Sequence, residues 1–593
     1  MSATIPISNS KDFRTIWLAM LVALLTACGG GGGSDASPQS SSPAANPGAN
    51  HSDGTTQPAP HDTSDPTEAY PILSGSELDA LRLLEQATFG PTSAELAKVR
   101  EWGVVAYLDD QLAQPKTGYV GLNRTAYVQP TDCKTMPDDP TSVASLCARD
   151  HFTLFELQRQ FFANAMTGED QLRQRIAFAL SQIFVVSGTR VKHAAGMAAY
   201  QNMLLDNAFG NFRTLMEEVT LSPVMGVYLD MVNNAKSSSA DAKPNENFAR
   251  EFLQLFTLGT AQLNLDGTVK TDARGEPLPT YTQEEVEAYA RVFTGWTYSA
   301  WNPSTSRWVN PPKLVGAMVP IDAHHDMTEK RLLNAVTLPA GQGARADLEQ
   351  ALDSVFLHPN VGPFIATRLI QHLVTSNPSA DYVQRVARIF ADNGRGVRGD
   401  MRTVIRAILL DPEARGDAKT ASSYGKLKEP ALFMTGFLRA LGGKSDGVYL
   451  RAQSAVMGQD IFTAPSVFNF YSPSQRIPSG TLHGPEFGIF DGTSSLARTD
   501  FVYQLVYANG AAPDATVASS VGTSIALDAN AAALIAGLQI DGADSGFVFA
   551  ALTSSSRAAM NQALIALPSN DMVGRAKAAA YLLGTSAQFQ IQR

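Results

Sequence analysis

The segment Lys243–Gly259 constrains the fold more than any other stretch, because its residues separate by polarity at helical spacing. Asn245 is a favoured N-cap residue, and Gly259 stands where a left-handed helix end is expected. At about 100° per residue, the polar side chains between them share an arc of about 140°, and the apolar ones fill the other side. The pattern predicts a helix with one face in the core. Its polar face holds Glu246, Asn247, Arg250, Glu251 and Gln254, and its apolar face holds Phe248, Ala249, Phe252, Leu253, Leu255 and Phe256.

The polar face of this helix has two interpretations. It contains no Lys, and its carboxylates, guanidinium and amides can all form fixed hydrogen bonds. In one interpretation it is an ordinary solvated face with an i,i+4 pair between Glu246 and Arg250. In the other, Glu246, Arg250 and Glu251 line a polar site, which makes these residues catalytic candidates.

The N-terminus has the order of features found in a bacterial lipoprotein signal. Lys11 and Arg14 precede an apolar run, and small residues then lead to Cys28. We therefore predict a signal peptide over residues 1–27 and lipidation of Cys28; a plain secretory signal is the alternative. Gly29 is typical of lipoproteins sorted to the outer membrane. Because no later run of 18 apolar residues occurs, the lipid is the expected membrane anchor.

The remaining chain divides by composition. Residues 28–73 are rich in Gly, Ser and Pro and predict a flexible tether without a core. Residues 74–593 predict a mainly α, large multi-helical body with long irregular loops, with a possible sub-boundary near residues 490–500. Asp266-Gly267 indicates a small β-hairpin excursion, and Thr282 with Glu285 predicts a capping box.

Two further cysteines, Cys133 and Cys147, are separated by a short loop that contains Pro and Asp. In an exported protein this arrangement favours one disulfide over two free thiols. In a disulfide, both cysteines would be structural rather than catalytic.

The net charge of −10 argues against nucleic acid as a partner, since phosphate backbones are bound by basic surfaces. It leaves open a small anionic ligand held by a few Arg side chains.

The densest group of potential metal ligands is His324, His325 and Asp326. His and carboxylate together suit zinc or another transition metal, so a divalent metal is one expectation for this loop. Adjacent residues on a helix or strand cannot all face one ion, so the site would need a loop and a remote ligand, such as Glu251, Glu246 or His358. A hydrogen-bonded structural loop is the alternative.

Other polar positions receive plainer interpretations. Arg173 and Arg175 are interpreted as capping or solvating their helix, and the stretch around Lys426 and Glu429 carries no specific signal. The aromatic residues of the segment 462–473 are interpreted as packing beneath a long loop, or alternatively as lining a ligand cleft.

Several motifs occur here in an order that resembles the large exported bacterial family called domain of unknown function 1800. The resemblance covers about residues 74–593. Its motifs are LLEQATFGPT, LRQRIAFALSQIFVVS, PNENFAREFLQLFTLG, YTQEEVEAYARVFTGW, HHDMTEK, FLHPNVGPFIATRLIQHLV, GDMRTVIRAILLDPEAR and PSVFNFYSP.

The resemblance implies an exported protein but no known reaction. Members are often encoded beside an exported alkaline-phosphatase-like or sulfatase-like protein, which suggests that class of partner. In the central helix Glu246, Arg250 and Glu251 match the family pattern, whereas Phe256 stands where a His is common and Gln254 where a Glu is common. The Phe256 departure weighs against a metal bound on this helix.

Two hypotheses follow from the sequence. The first is a lipid-anchored envelope protein that binds or assembles with another exported protein. The second is a metal-dependent or carboxylate-based, hydrolase-like enzyme that acts on envelope or extracellular material. In the second, Glu246, Arg250 and Glu251 would face His324, His325 and Asp326, with a carboxylate as general base.

Overall fold

A computed structural model gives the fold of this protein. It describes residues 77–122, 143–239, 242–299, 312–416, 419, 421, 423–478, 480–527 and 554–593. The predicted signal peptide, tether, Cys28 and Cys133 lie outside this range. Within it the chain is mainly α-helical, with strands of two residues each, so the predicted fold class is confirmed.

The first half of the described chain is a series of α-helices joined by turns and loops. They are α1 Glu77–Ala87, α2 Ser93–Trp102, α3 Val104–Ala113, α4 Val143–Phe152, α5 Phe155–Thr167, α6 Gln171–Ile183, α7 Ala194–Asn207, α8 Phe212–Leu221, α9 Pro223–Tyr228, α10 Asn247–Glu251 and α11 Gln283–Val292.

The second half continues in the same way. Its helices are α12 Ala344–Phe356, α13 Val361–Leu373, α14 Ala380–Ala391, α15 Met401–Leu410, α16 Pro430–Ala440, α17 Val448–Val456, α18 Gly492–Val506, α19 Ser554–Ile565, α20 Met572–Thr585 and α21 Ala587–Gln590.

Helix α6 lies at the centre of the body. It packs against α1, α3, α5, α7 and α13, and it is buried on nearly every side. A helix surrounded by protein normally has apolar residues all round. Helix α6 instead buries Gln174, Arg175 and Gln182, so these polar groups need partners within the core.

Short antiparallel strand pairs join segments that are distant in sequence. They are β1 Trp296–Thr297 with β2 Val319–Pro320, β3 Lys330–Arg331 with β4 Thr337–Leu338, β5 Lys426–Leu427 with β8 Ile591–Gln592, and β6 Lys444–Ser445 with β7 Thr523–Ser524. The β5–β8 pair fixes the C-terminus beside the start of α16.

The hairpin predicted at Asp266-Gly267 is present, because an isolated antiparallel bridge joins Leu263 and Val269 on either side of it. Further bridges join Thr271 to Pro277 and Ala261 to Pro279. Asp266 accepts a hydrogen bond from the backbone N–H of Thr268 (2.9 Å), and Gly267 has a φ of +79° that an L side chain would strain. The capping box of Thr282 and Glu285 at the start of α11 is also confirmed.

Among the described residues, none of the helices has both the length and the apolar character needed to cross a bilayer.

Candidate functional site

The segment that the sequence singles out is helical, but it changes helix type part-way. Helix α10 ends at Glu251, and Phe252–Thr257 continue as a π-helix. Gly259 ends the element with a φ of +78°, as predicted. The apolar face is buried except for Leu255, which is half-buried. π-Helical turns are rare and occur frequently at functional sites.

Glu246 and Arg250 lie in a hydrogen-bonded group at the surface. Arg250 Nη2 lies 2.8 Å from Glu246 Oε2 and also donates to Gln283 Oε1 at 3.0 Å. Gln283 Nε2 in turn donates to Glu246 Oε2 (3.0 Å), which closes a three-residue ring. The predicted i,i+4 pair is therefore real, and a residue of α11 completes it. The ring holds its side chains in one arrangement while leaving them partly exposed.

Glu251, one residue further on, has a different side-chain environment. It is half-buried, and its Oε2 is buried without a hydrogen-bond partner among the described residues. Burial raises the pKa of this carboxyl, and the nearby charge of Arg250 offsets only part of that rise. A carboxyl with a raised pKa and an unused oxygen is a candidate for proton transfer.

Two phenols lie within electrostatic range of this carboxyl. Burial raises the pKa of both Tyr228 and Tyr281; the charge of Arg190 or Arg250, respectively, lowers it, and the negative charge of Glu251 raises it. The hydroxyl of Tyr281 is buried and also lacks a hydrogen-bond partner in the described structure. We call Glu251, Tyr228 and Tyr281 the Glu251 site.

A loop with an unusual backbone conformation adjoins the start of α10. Asp230 has a φ of +60°, pairs with Arg190, and lies 3.3 Å from Nδ2 of Asn247. Asn234 and Asn245 exchange hydrogen bonds of 3.1 and 3.0 Å, which fix this loop beside the start of α10. Non-glycine residues with positive φ cluster at active sites and ligand clamps.

The loop of His324, His325 and Asp326 has its own partners. His325 is fully buried; its Nδ1 lies 2.9 Å from the carbonyl oxygen of Thr294, and its Nε2 lies 3.0 Å from Asp347 Oδ2. Asp326 accepts from the backbone N–H of Thr328 at 2.9 Å. His324 is half-buried, and burial together with the charge of Lys236 lowers its pKa.

The carboxylate at the centre of this loop is Asp347, which sequence reasoning missed. Lys330 Nζ lies 2.7 Å from its Oδ2, and Gln342 donates to its Oδ1 at 2.7 Å. Burial alone would raise the pKa of Asp347, but hydrogen bonds from His325 and Lys330 and the charge of Lys330 lower it overall. The network is closed and buried, which is the arrangement of a structural loop.

The donor set of this loop does not fit a metal centre. Both ring nitrogens of His325 face protein oxygens, and the side chain of Asp326 accepts a hydrogen bond from the Thr328 hydroxyl. Within the described ranges, no three His, Cys, Asp or Glu side chains are grouped so that they could hold a metal ion.

A second charged group, which sequence reasoning also missed, lies in the core around Glu429. This carboxylate is fully buried and accepts from Gln459 (2.5 Å), Tyr471 (2.9 Å) and Gln182 (3.3 Å). Burial and the adjacent Glu429 charge raise the pKa of Tyr471 well above its ordinary range. We call this group, together with the cations described next, the buried charged centre.

Cations surround Glu429 and its neighbour Glu486. Lys426 Nζ lies 2.9 Å from Glu486 Oε1, with both side chains buried. Arg175 donates to the carbonyl oxygen of His372 at 2.9 Å, and Arg498 donates to Gln590 Oε1 at 3.0 Å. The centre therefore ties α6, β5, α18 and the C-terminus together in the core.

The plain interpretations of these residues were wrong. Arg175 is 0% exposed and does not solvate its helix, and Lys426 and Glu429 are buried ions. One sequence signal could have found Arg175, because it lies three residues after Leu172 and four before Ala179, on the buried stripe of α6. Tyr471, in the aromatic segment, contributes a hydroxyl to the centre.

Cys147 lies in α4 and is disulfide-bonded. Its predicted partner, Cys133, is outside the described residues, so that pairing stays a prediction.

Comparison with known proteins assigns the chain to a family. The model of the family described as "Protein of unknown function (DUF1800)" matches residues 82–591, nearly the whole chain. The chain belongs to the DUF1800 family. No curated protein and no solved structure matches it. The match spans the Glu251 site, the His325 loop and the buried charged centre of this DUF1800 protein.

Phe256, the departure from the common family pattern, is a core residue in this DUF1800 protein. It is 0% exposed, and its ring lies 5.6 Å from that of Phe184. The side chain therefore packs in the core on the apolar face predicted for it, away from the polar ring of Glu246 and Arg250.

Proposed function

We propose that this DUF1800 protein is a carboxylate-based, hydrolase-like enzyme in which Glu251 transfers protons. One observation carries the proposal: Glu251 has a raised pKa and a buried oxygen that has no hydrogen-bond partner among the described residues. General acid–base groups work best with a pKa near the operating pH, and burial is the usual means of raising that of a Glu.

The neighbouring side chains have roles that suit this chemistry. Ionised Glu251 would accept a proton from an attacking water, and the protonated carboxyl would return it to the leaving group. Arg250 is 40% exposed in its side chain and Arg190 47%, so both guanidiniums can reach an anionic group of a substrate. Tyr281 would donate a hydrogen bond to charge that develops on the substrate.

A panel assay tests the proposal. Purified protein is incubated with chromogenic carboxylic, phosphate and sulfate esters and glycosides, alongside Glu251→Gln and Glu287→Gln. We expect hydrolysis of one class, a loss of about 10²–10⁴-fold in Glu251→Gln, and no loss in the control. Glu287 is the matched control because it is a surface Glu of α11 paired with Lys243 at 2.6 Å. Activity unchanged by Glu251→Gln, or none on the whole panel, would refute the proposal.

We also propose that the protein is exported and held in the outer membrane by lipid on Cys28. The order of basic residues, apolar run, small residues and Cys supports this location. In Cys28→Ala the protein should leave the membrane fraction. Unchanged membrane association of that variant would contradict the lipid anchor.

Assembly with another exported protein, of the alkaline-phosphatase-like or sulfatase-like class, is a second candidate function. The ring of Glu246, Arg250 and Gln283 favours it, because fixed and partly exposed side chains lose little entropy on binding.

Affinity purification from envelope fractions tests this second candidate. A stoichiometric partner should be recovered with the natural chain and lost with Arg250→Ala. Arg388→Ala is the control, since Arg388 is an exposed Arg whose Nη2 donates to Gln384 of its own helix. Recovery of the protein alone, in repeated experiments, would contradict the assembly.

A further inference from the structure

A cavity of about 480 Å³ lies where α4, α5 and α17 meet. Its size falls within the range of about 300–1,000 Å³ that is typical of small-molecule sites. Arg149, Lys192, Arg451 and Asp460 supply the charges of its lining, and Phe155 supplies an aromatic wall. None of these residues belongs to the Glu251 site or to the buried charged centre.

The charges of the lining favour an anion. Arg149 is paired with Asp150 at 2.6 Å, which leaves Arg451 and Lys192 against the single carboxylate of Asp460. Asp460 is itself engaged, because it accepts a hydrogen bond of 2.8 Å from Gln158 Nε2. The cavity therefore has an excess of positive charge, and its walls concentrate the resulting field.

Arg451 has hydrogen-bonding capacity to spare. Its Nε is buried and has no hydrogen-bond partner in the described part of the chain, and its Nη1 makes only a long contact of 3.4 Å to Gln158 Oε1. The guanidinium carbon lies 4.9 Å from the centre of the Phe155 ring, and that of Arg149 lies 4.2 Å from the same ring. Stacking on an aromatic face orients a guanidinium for two-point contact with an oxyanion.

The backbone of the cavity wall is held in an unusual conformation. Phe462 has a φ of +66°, and its carbonyl oxygen accepts a hydrogen bond of 2.8 Å from the N–H of Gly188. A Cβ on Gly188 would lie 2.2 Å from Leu154 Cδ1, so a larger residue there would displace the Leu154 side chain. Such strain persists where the surrounding structure fixes it, and it clusters at ligand sites.

We infer that this cavity binds a small organic anion. Its oxyanion group lies against Arg451 and Lys192, and its apolar part packs on the apolar lining residues Phe152 and Leu154.

Calorimetric titration of the purified full-length protein tests the inference, with phenyl phosphate, inorganic phosphate and phenol as probes. We expect saturable binding of phenyl phosphate that is at least about tenfold tighter than that of phosphate, no binding of phenol, and weaker binding at high salt. Arg451→Met should lower the affinity about tenfold or more.

Two further variants keep the test decisive. Lys192→Met changes an exposed side chain, so it should fold normally and still lower the affinity. Arg388→Met removes a surface Arg outside the cavity and should leave the affinity unchanged. The inference is overturned if phenyl phosphate does not bind, if phosphate binds equally well, or if Lys192→Met binds as the natural chain does.

Discussion

Lys330 Nζ and Asp347 Oδ2 lie 2.7 Å apart, and both side chains are buried. Removing one member of a buried ion pair leaves the other as an uncompensated charge, which costs about 3–5 kcal/mol. We therefore expect Lys330→Met to lower the free energy of unfolding by about 3 kcal/mol or more. Chemical denaturation followed by circular dichroism measures the change.

The matched control for this variant is Lys116→Met. Lys116 pairs with Asp206 at 2.5 Å, but the side chains are 32% and 56% exposed. Exposed pairs contribute about 0–1 kcal/mol, so the control should change stability little. Equal effects of the two variants would show that burial of the Lys330–Asp347 pair does not matter.

The same carboxylate should make stability depend on acid pH. The folded-state pKa of Asp347 is lowered overall, so its contribution is present above its unfolded pKa of about 3.9 and is lost as pH falls through the folded value. Asp347→Asn should be much less stable than the natural chain at pH 7, and the difference should shrink below about pH 4. Denaturation midpoints at a series of pH values measure this; a constant difference would contradict it.

The contribution of Glu251 to stability should change with pH in the opposite direction. Its folded-state pKa is raised by burial, so the folded state binds the proton more tightly than the unfolded state does. Stability is therefore lost as pH rises from the unfolded pKa of about 4.3 through the folded value. We expect Glu251→Gln, which stays neutral, to raise the melting temperature at pH 7 but not at pH 4.

A differential scan of both proteins at the two pH values measures this effect. Glu287→Gln is the control, because the hydrogen bond from Lys243 lowers the pKa of Glu287, so its loss should not stabilise the protein. A Glu251→Gln variant that is less stable than the natural chain at pH 7 would contradict the raised pKa.

Local patterns in the sequence predicted the helical elements well. The capping box at Thr282 and the left-handed end at Gly259 both depend on residues a few positions apart, and both are present. The π-helix was missed because the polarity pattern does not distinguish it from an α-helix. Its hydrogen bonds, such as Leu258 N–H to Leu253 O at 3.0 Å, rotate later positions and leave Leu255 half-buried.

The charged groups were harder to predict because their partners are distant in sequence. Arg175 bonds to the carbonyl of His372, and Lys426 pairs with Glu486, so no local window contains both members. The sequence identifies His325 as a potential metal ligand, but its hydrogen-bond partner Asp347 lies 22 residues away in α12. Polarity alone located Glu251, whereas its burial depends on how α10 packs beside Tyr228 and Tyr281.

The two members of the Lys426–Glu486 pair should respond differently to substitution. Lys426→Met leaves a buried carboxylate without its cation, so we expect a loss of about 3 kcal/mol or more. Glu486→Gln should cost less, because the amide oxygen can still accept a hydrogen bond from Lys426, which also keeps its bond of 2.9 Å to the carbonyl oxygen of His372. Denaturation at pH 7 measures both changes. Equal losses of stability in Glu486→Gln and Lys426→Met would contradict this prediction.

Phe256→His restores the residue that is common at this position in the DUF1800 family. Phe256 is 0% exposed, and its ring packs against that of Phe184, with 5.6 Å between the ring centres. Burying an imidazole there without hydrogen bonds should cost about 1–3 kcal/mol, without adding bound metal. Denaturation and elemental analysis, with Phe256→Leu as the apolar control, measure both effects. Unchanged stability together with stoichiometric metal would instead mean that this position belongs to a metal site, and the core assignment of Phe256 would be wrong.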